Sequence, residues 1–230
     1  MKIDSLDKLE SAALQWGMLP FFSNGIRGFS VQEMAAPGYL FGDDGEDCWT
    51  WKGPVIGRQE VAYGKFFRRK AGFVSLELLP HFLNYRRQKY PVVEASSDSM
   101  ILDIINRYEG LTSTELKKII FGHVTSRRSA FELPEVEQED KKPARSSLES
   151  PLQRLQMGGK ILIADFQYKL DRHGKPYGWG VAVYSTPEIW FDGLDLAVDT
   201  SPEESFNILV DHLNDRMPHV SREKIVKLLE

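Results

Sequence analysis

The stretch NRYEGLTSTEL, residues 106–116, constrains this chain more than any other. Gly110 stops a helix whose apolar face carries Met100, Ile101, Ile104, Ile105 and Tyr108. Thr112 and Glu115 have the spacing of a capping box, in which two backbone N–H groups are satisfied reciprocally at a helix start. A second helix therefore opens at once, with Leu116, Ile119 and Ile120 on its apolar side. Two helices joined by so short a turn must cross and share a core. A polar insert at about 123–147, containing EVEQEDKKPARSS, reads as a mobile loop. Ser150 followed by Pro151 starts a third helix, PLQRLQMGG, closed by Gly158 and Gly159. KILIADFQYKL and YGWGVAVYS are then two strand-like runs joined by DRHGKP. Helix, turn, helix, helix and hairpin is the order of a winged helix-turn-helix.

The first half is less regular. Leu6, Leu9, Ala13 and Trp16 recur at helical spacing and Gly17 ends the pattern. LPFFSNGIRGFS is turn-rich, and Ser30 with Glu33 forms a capping pair for a short helix. GDDGEDCWTWKGP reads as a loop leading into a Trp49-Thr50-Trp51 alternation, and VIGRQEVAYGKFF as two short strands or a strand and a turn. SLELLPHFLNYRR is a helix in which Pro80 marks a kink or a late start. Two further helices, SPEESFNILVDHLNDRM and SREKIVKLLE, close the chain. The expected fold is α+β: residues 1–95 a helical and β region, 96–190 a winged helix, 191–230 C-terminal helices. Each half begins with helices and continues with strands, so a tandem of winged domains is one arrangement open to it.

Composition narrows the chemistry. With 230 residues there is room for one large domain or two of roughly 100 residues. The single cysteine, Cys48, excludes an internal disulfide and a Cys-based metal cluster. MKIDSLDKLESAALQW lacks the continuous apolar core of a signal peptide, and no apolar run approaches the roughly 18 residues that span a bilayer, so a cytoplasmic location is expected. The net charge of -4 is unevenly spread. Arg58, Lys65, Arg68, Arg69, Lys70, Arg86, Arg87 and Lys89 face only Glu60 and Glu77 between positions 58 and 90, which leaves the remainder at -10. One basic face on an acidic body is the implied arrangement.

Within that block, YGKFFRRK pairs cations with flat rings, as phosphate contacts and base stacking require. The same alternation also suits an ordinary strand with Phe66 or Phe67 in the core. Arg86 and Arg87, near a helix C-terminus, have a second use in opposing the helix dipole. Gln153 and Arg154 lie on the third helix of the winged unit, where side chains of their type read base edges. Arg172, His173 and Lys175 flank Gly174 in the hairpin turn, suited to phosphates or a minor groove. The five histidines are scattered, and the acidic run Asp43, Asp44, Glu46 and Asp47 lacks the calcium-loop pattern, so neither metal nor cofactor is expected. Cys48 beside carboxylates is a poor thiolate. Trp49, Trp51 and Trp179 are either a base-holding pocket or core aromatics.

Several segments resemble the winged-helix DNA glycosylases that remove alkylated bases, the AlkZ-like family. KLESAALQWGMLPF is similar to its opening helix, LELLPHFLNYRR to its central helix, LDIINRYEGLTSTELKK to its helix-turn-helix, and LQRLQMGGKILIADF with YGWGVAVY to its recognition helix and wing. AYGKFF, KAGFVSLE and YGWGVAVYSTPE resemble an uncharacterised bacterial side branch related to those enzymes. The resemblance implies a Gln-apolar-Gln or Gln-apolar-Asp motif after the opening helix to position the attacking water. Pro20, Phe21 and Phe22 stand there instead, and none of them can accept a proton. The resulting expectation is a DNA-binding winged-helix protein without the family's base excision. Two alternatives are a glycosylase using another acid or base, such as Asp43, Glu46 or Asp47, and a protein-interaction module.

Overall fold

A computed structural model describes residues 2–42, 45–122, 148–173 and 176–230, with the backbone alone at 176 and 177. The insert at 123–147, Asp43, Asp44, Gly174 and Lys175 lie outside the described residues. The first helix, α1 (Leu6–Trp16), begins where Ser5 Oγ accepts the Lys8 amide and ends at Gly17, whose φ of 68° is left-handed. There follow β1 (Met18–Pro20), α2 (Val31–Met34), α3 (Cys48–Gly57), β2 (Val61–Phe67) and β3 (Lys70–Ser75). The three strands form an antiparallel sheet in the order β1-β3-β2. After α4 (Leu79–Lys89) come α5 (Ser97–Tyr108), β4 (Leu111–Thr112), α6 (Ser113–Phe121), α7 (Glu149–Met157), β5 (Leu162–Leu170) and β6 (Pro176–Ser185). Their sheet runs β4-β6-β5. The short α8 (Pro187–Trp190), α9 (Pro202–Arg216) and α10 (Arg222–Leu229) complete the described chain.

Helix, strand, helix, helix, strand, strand thus occurs twice, each time with the last strand in the middle of its sheet. This mixed α+β architecture is compatible with the winged connectivity expected from NRYEGLTSTEL. The capping box is present as the sequence predicts: Thr112 Oγ1 accepts the Glu115 amide at 3.2 Å, and Glu115 Oε2 accepts the Thr112 amide at 2.8 Å.

Two apolar clusters hold the fold. The larger joins α1, α3, β2, β3 and α4 to the start of β5 and to Leu209, Val210, Leu213, Ile225, Leu228 and Leu229 of α9 and α10. The smaller gathers Ile101, Ile105, Leu116, Leu152 and Leu155 from α5, α6 and α7. The last helices therefore bury their apolar faces on the first sheet's core, where α9 lies along α4.

From Cys48 on, the segment expected as a loop, GDDGEDCWTWKGP, is instead the start of α3. Asp47 Oδ1 accepts the Thr50 amide at 2.7 Å and Oδ2 accepts the Gly42 amide at 2.6 Å, which caps the helix. Its buried face is Cys48, Trp51, Lys52, Val55 and Ile56, a run at i, i+3, i+4, i+7 and i+8. Lys52, a charged residue in the middle of that stripe, disguises the period. SLELLPHFLNYRR takes the late start, with Pro80 in the first turn of α4, where its missing N–H costs nothing. The strands β1 and β4, of three and two residues, carry too little periodicity to be read from sequence.

Candidate nucleic-acid interface

Several of the expected contact residues, Arg58 and Arg87 of the basic block and Arg154 of α7, are held in ion pairs. Arg58 reaches back to α1, pairing with Asp7 at 3.2 Å and with Glu10. Arg87 donates to the Gly159 carbonyl at 3.2 Å and pairs with Glu188 at 2.6 Å. Arg154 grips Asp98 with both ends of its fork, at 2.9 and 2.6 Å. Each of these three guanidinium groups thus has a carboxylate partner and ties one element to another.

Arg86, expected at a contact surface, is instead fully buried. Its Nη2 donates to the Phe66 carbonyl at 2.8 Å, and its guanidinium lies 5.2 Å from the centre of the Phe82 ring. Burial holds its pKa below the usual guanidinium range, opposed by Tyr90, Tyr85 and Glu230. Arg86 knits α4 to the end of β2. Arg86→Ala is expected to destabilise the fold by about 3 kcal/mol in urea unfolding, through poorer packing and an orphaned carbonyl.

What remains of the block is local. β2 and β3 are joined by Arg68 and Arg69 alone, with Phe67 and Lys70 as the closing pair. Both arginines have positive φ, 47° and 69°, and both are exposed. Neither has a carboxylate within ion-pair reach among the described residues. Lys70 donates to the Ser23 carbonyl at 2.6 Å, bringing the turn against the loop after β1. That loop and α10 frame a shallow cavity of about 310 Å³ lined by Arg27, His219 and Lys224 with Gly25, Ile26 and Val220. These three basic side chains are isolated along the sequence, so only the approach of the 21–28 loop to α10 brings them together.

The other expected contacts are dispersed. Lys65 is half-buried, and its amide donates to Gln156 Oε1 at 3.0 Å. Gln153 is half-buried on α7, and it is the neighbouring Gln156 that is fully enclosed. Arg172 and His173 are exposed and hydrogen-bonded to each other at 3.0 Å, while Lys175 lies outside the described residues.

After the opening helix, the Phe21 amide donates to the Ala71 carbonyl at 2.8 Å and the Phe21 ring is fully buried. Phe21, Phe22, Trp49, Tyr63 and Phe73 form a continuous ring cluster there. Of the expected trio, Trp51 is buried, Trp49 half-buried and Trp179 exposed, with Trp49 and Trp179 meeting edge to face at 5.3 Å. Lys52 enters the same cluster with its Nζ 3.7 Å from the Trp49 ring centre and 4.3 Å from that of Phe166. Burial pushes its ammonium down to about 7, against the pull of Asp47. Burial pushes the Cys48 thiol up to about 12, with Asp47 adding to the effect, so it is no nucleophile at neutral pH. Among the described residues no group of three His, Cys, Asp or Glu side chains is placed to hold a metal ion, and no helix is long and apolar enough to cross a membrane.

These features define a mixed α+β protein with two repeated small sheets and a cationic turn on the first. The chain belongs to the AlkZ-related family, whose family model matches residues 3–230, and so is related to the DNA glycosylases. No curated protein and no solved structure matches it.

Proposed function

We propose that this chain binds DNA through the β2–β3 turn and lacks the family's base-excision chemistry. On this reading residues 96–190 are a winged helix, 1–95 repeat its connectivity as a second such unit, and 191–230 brace the first. The β2–β3 hairpin then has the position of a wing. The observation that carries the proposal is the turn itself. A two-residue hairpin turn with positive φ at both positions is the type I′ geometry, which favours Asn-Gly because side chains crowd the backbone there. Arg68 and Arg69 occupy both places. Strain of this kind persists where the side chains serve another purpose, and two guanidinium groups at a wing tip, without carboxylate partners among the described residues, suit phosphates or a minor groove. Arg27, His219 and Lys224 would extend the contact.

Of the alternative acids, Asp43 lies outside the described residues and the other two are engaged. Glu46 accepts from the Trp51 indole at 3.0 Å and Asp47 caps α3, so neither stands free to activate water. The pairing of Arg58, Arg87 and Arg154 favours one competing reading, a protein-interaction module. Fluorescence anisotropy with labelled duplex, single-stranded and abasic oligonucleotides separates the two. Three phosphate contacts from Arg68, Arg69 and Lys70 predict that affinity falls about 40-fold between about 50 and 200 mM salt. Absence of binding to all three at low salt would leave the protein-interaction reading.

A further inference from the structure

α7 ends at Gly158, and Gly159 turns the chain out of the helix at a φ of 62°. A Cβ on Gly159 would stand 2.8 Å from Leu83 Cδ2, so the close approach of this turn to α4 fixes where the next residue lies. That residue, Lys160, is half-buried, and its ammonium has no hydrogen bond or ion pair among the described residues. Glu188, which acts on it, is already paired with Arg87 at 2.6 Å. Burial and then the nearby Arg87 push the Lys160 pKa down, as expected of a cation without its anion. Lys160 lines a cavity of about 190 Å³ with Lys89 from the end of α4, Asp98 from the first turn of α5 and Arg154 from α7. Val92 and Leu155 supply apolar wall. Asp98 is held by Arg154 Nε and Nη2, which leaves Nη1 to donate elsewhere. Lys89 Nζ donates to the Tyr85 hydroxyl at 3.0 Å, and the Glu230 carboxylate stands 3.8 Å from it, too far for a hydrogen bond. Three cations against one carboxylate leave the lining with a net charge of +2.

We propose that this cavity binds a phosphate group, presented on a DNA strand or carried by a free phosphate. A phosphate group is an acceptor whose charge approaches -2 at neutral pH when it is a monoester, and the lining matches that charge. Lys160 Nζ, Arg154 Nη1 and Lys89 Nζ are donors that come from three separate stretches of chain, so they can meet a tetrahedral oxyanion from different sides. A neutral ligand would leave the half-buried Lys160 uncompensated. Val92 and Leu155 keep water from part of the wall, which strengthens each charge-assisted bond. An anion held here ties the end of α4 to α5 and α7, and so stabilises the folded chain. The strand source rests on the DNA-binding reading above, and the free source does not.

The test is thermal unfolding of the full chain titrated with inorganic phosphate, with chloride making up a constant ionic strength. Phosphate at ten times its Kd is expected to raise Tm by about 4 °C in a chain of this size. Lys227→Gln, which changes an exposed lysine of α10 outside the cavity, should show the same rise as wild type. Lys160→Gln and Lys89→Gln should lose most of it, and the general effect of phosphate on hydration is common to all four proteins. Equal rises in all four, or no rise in wild type, overturn the phosphate site whatever happens with DNA. Anisotropy with a labelled duplex then reads the source. A strand phosphate in the cavity predicts that Lys160→Gln binds duplex about tenfold more weakly and that inorganic phosphate competes with duplex on wild type. Unchanged duplex affinity in Lys160→Gln, beside a lost response to phosphate, overturns the strand source and assigns the cavity to free phosphate. A phosphate response without duplex binding by any of the four overturns the DNA-binding reading alone.

Discussion

Replacing Arg68 by Asn and Arg69 by Gly is expected to stabilise the protein and, on the proposed DNA-binding reading, to weaken its hold on DNA. The two effects have one origin. Each arginine sits in a left-handed conformation, at 47° and 69°, that costs a side-chain-bearing residue about 1 kcal/mol relative to the turn's favoured residues. Asn-Gly relieves that strain without disturbing the Phe67–Lys70 closing pair. A gain of about 1–2 kcal/mol corresponds to roughly 4 °C in Tm for a chain of this size. Affinity for duplex at low salt should fall about 30-fold, and the slope of log K against log salt should shrink by about 2, one unit for each phosphate no longer neutralised. Thermal unfolding and anisotropy on the same preparation read both quantities. A variant that is more stable and binds equally well would mean that the arginines do not touch DNA. A variant of unchanged stability would mean that the turn is not strained.

Lys52→Met is expected to raise stability by up to about 5 kcal/mol at pH 7. An ammonium held at about 7 rather than 10.5 costs the folded state roughly 5 kcal/mol wherever both states are charged, a figure net of its contacts with the Trp49 and Phe166 rings. The pH dependence has a definite sign. Between pH 7 and 10.5 the unfolded chain binds a proton that the folded chain does not, so stability rises as pH climbs through this window. Below pH 7 both states are protonated and the whole penalty is present. The advantage of Lys52→Met should accordingly be constant in acid, diminish above pH 7 and vanish near pH 10.5. Urea unfolding of both proteins at several pH values checks this. A stability difference independent of pH would show that the amine keeps an ordinary affinity for protons.

The order of α5, α6, α7 and the β5–β6 hairpin is legible because its signals are local. A capping box needs residues only three apart, a glycine stop needs one, and α5 and α6 both end in left-handed backbone, at Glu109 and Gly122. α3 resembles a loop in sequence for the opposite reason: its stripe contains a lysine whose burial depends on Phe166, more than a hundred positions away. The candidate site is less legible than the fold. YGKFFRRK stands out for its cations and rings, and the structure puts Phe66 and Phe67 in the core, as the strand reading expects, and Arg68 and Arg69 at an exposed turn.

The sequence by itself determined the capped starts of α2, α6 and α9 and that Pro20, Phe21 and Phe22 follow the opening helix. It also determined that positive charge concentrates between positions 58 and 90. Which of those charges remain available was decided only by tertiary structure. Arg58, Arg87 and Arg154 find their carboxylates 48, 101 and 56 positions away, and Arg86 is closed in by β2. Ion pairing acts over a few ångströms of space, a distance that separation along a folded chain does not encode.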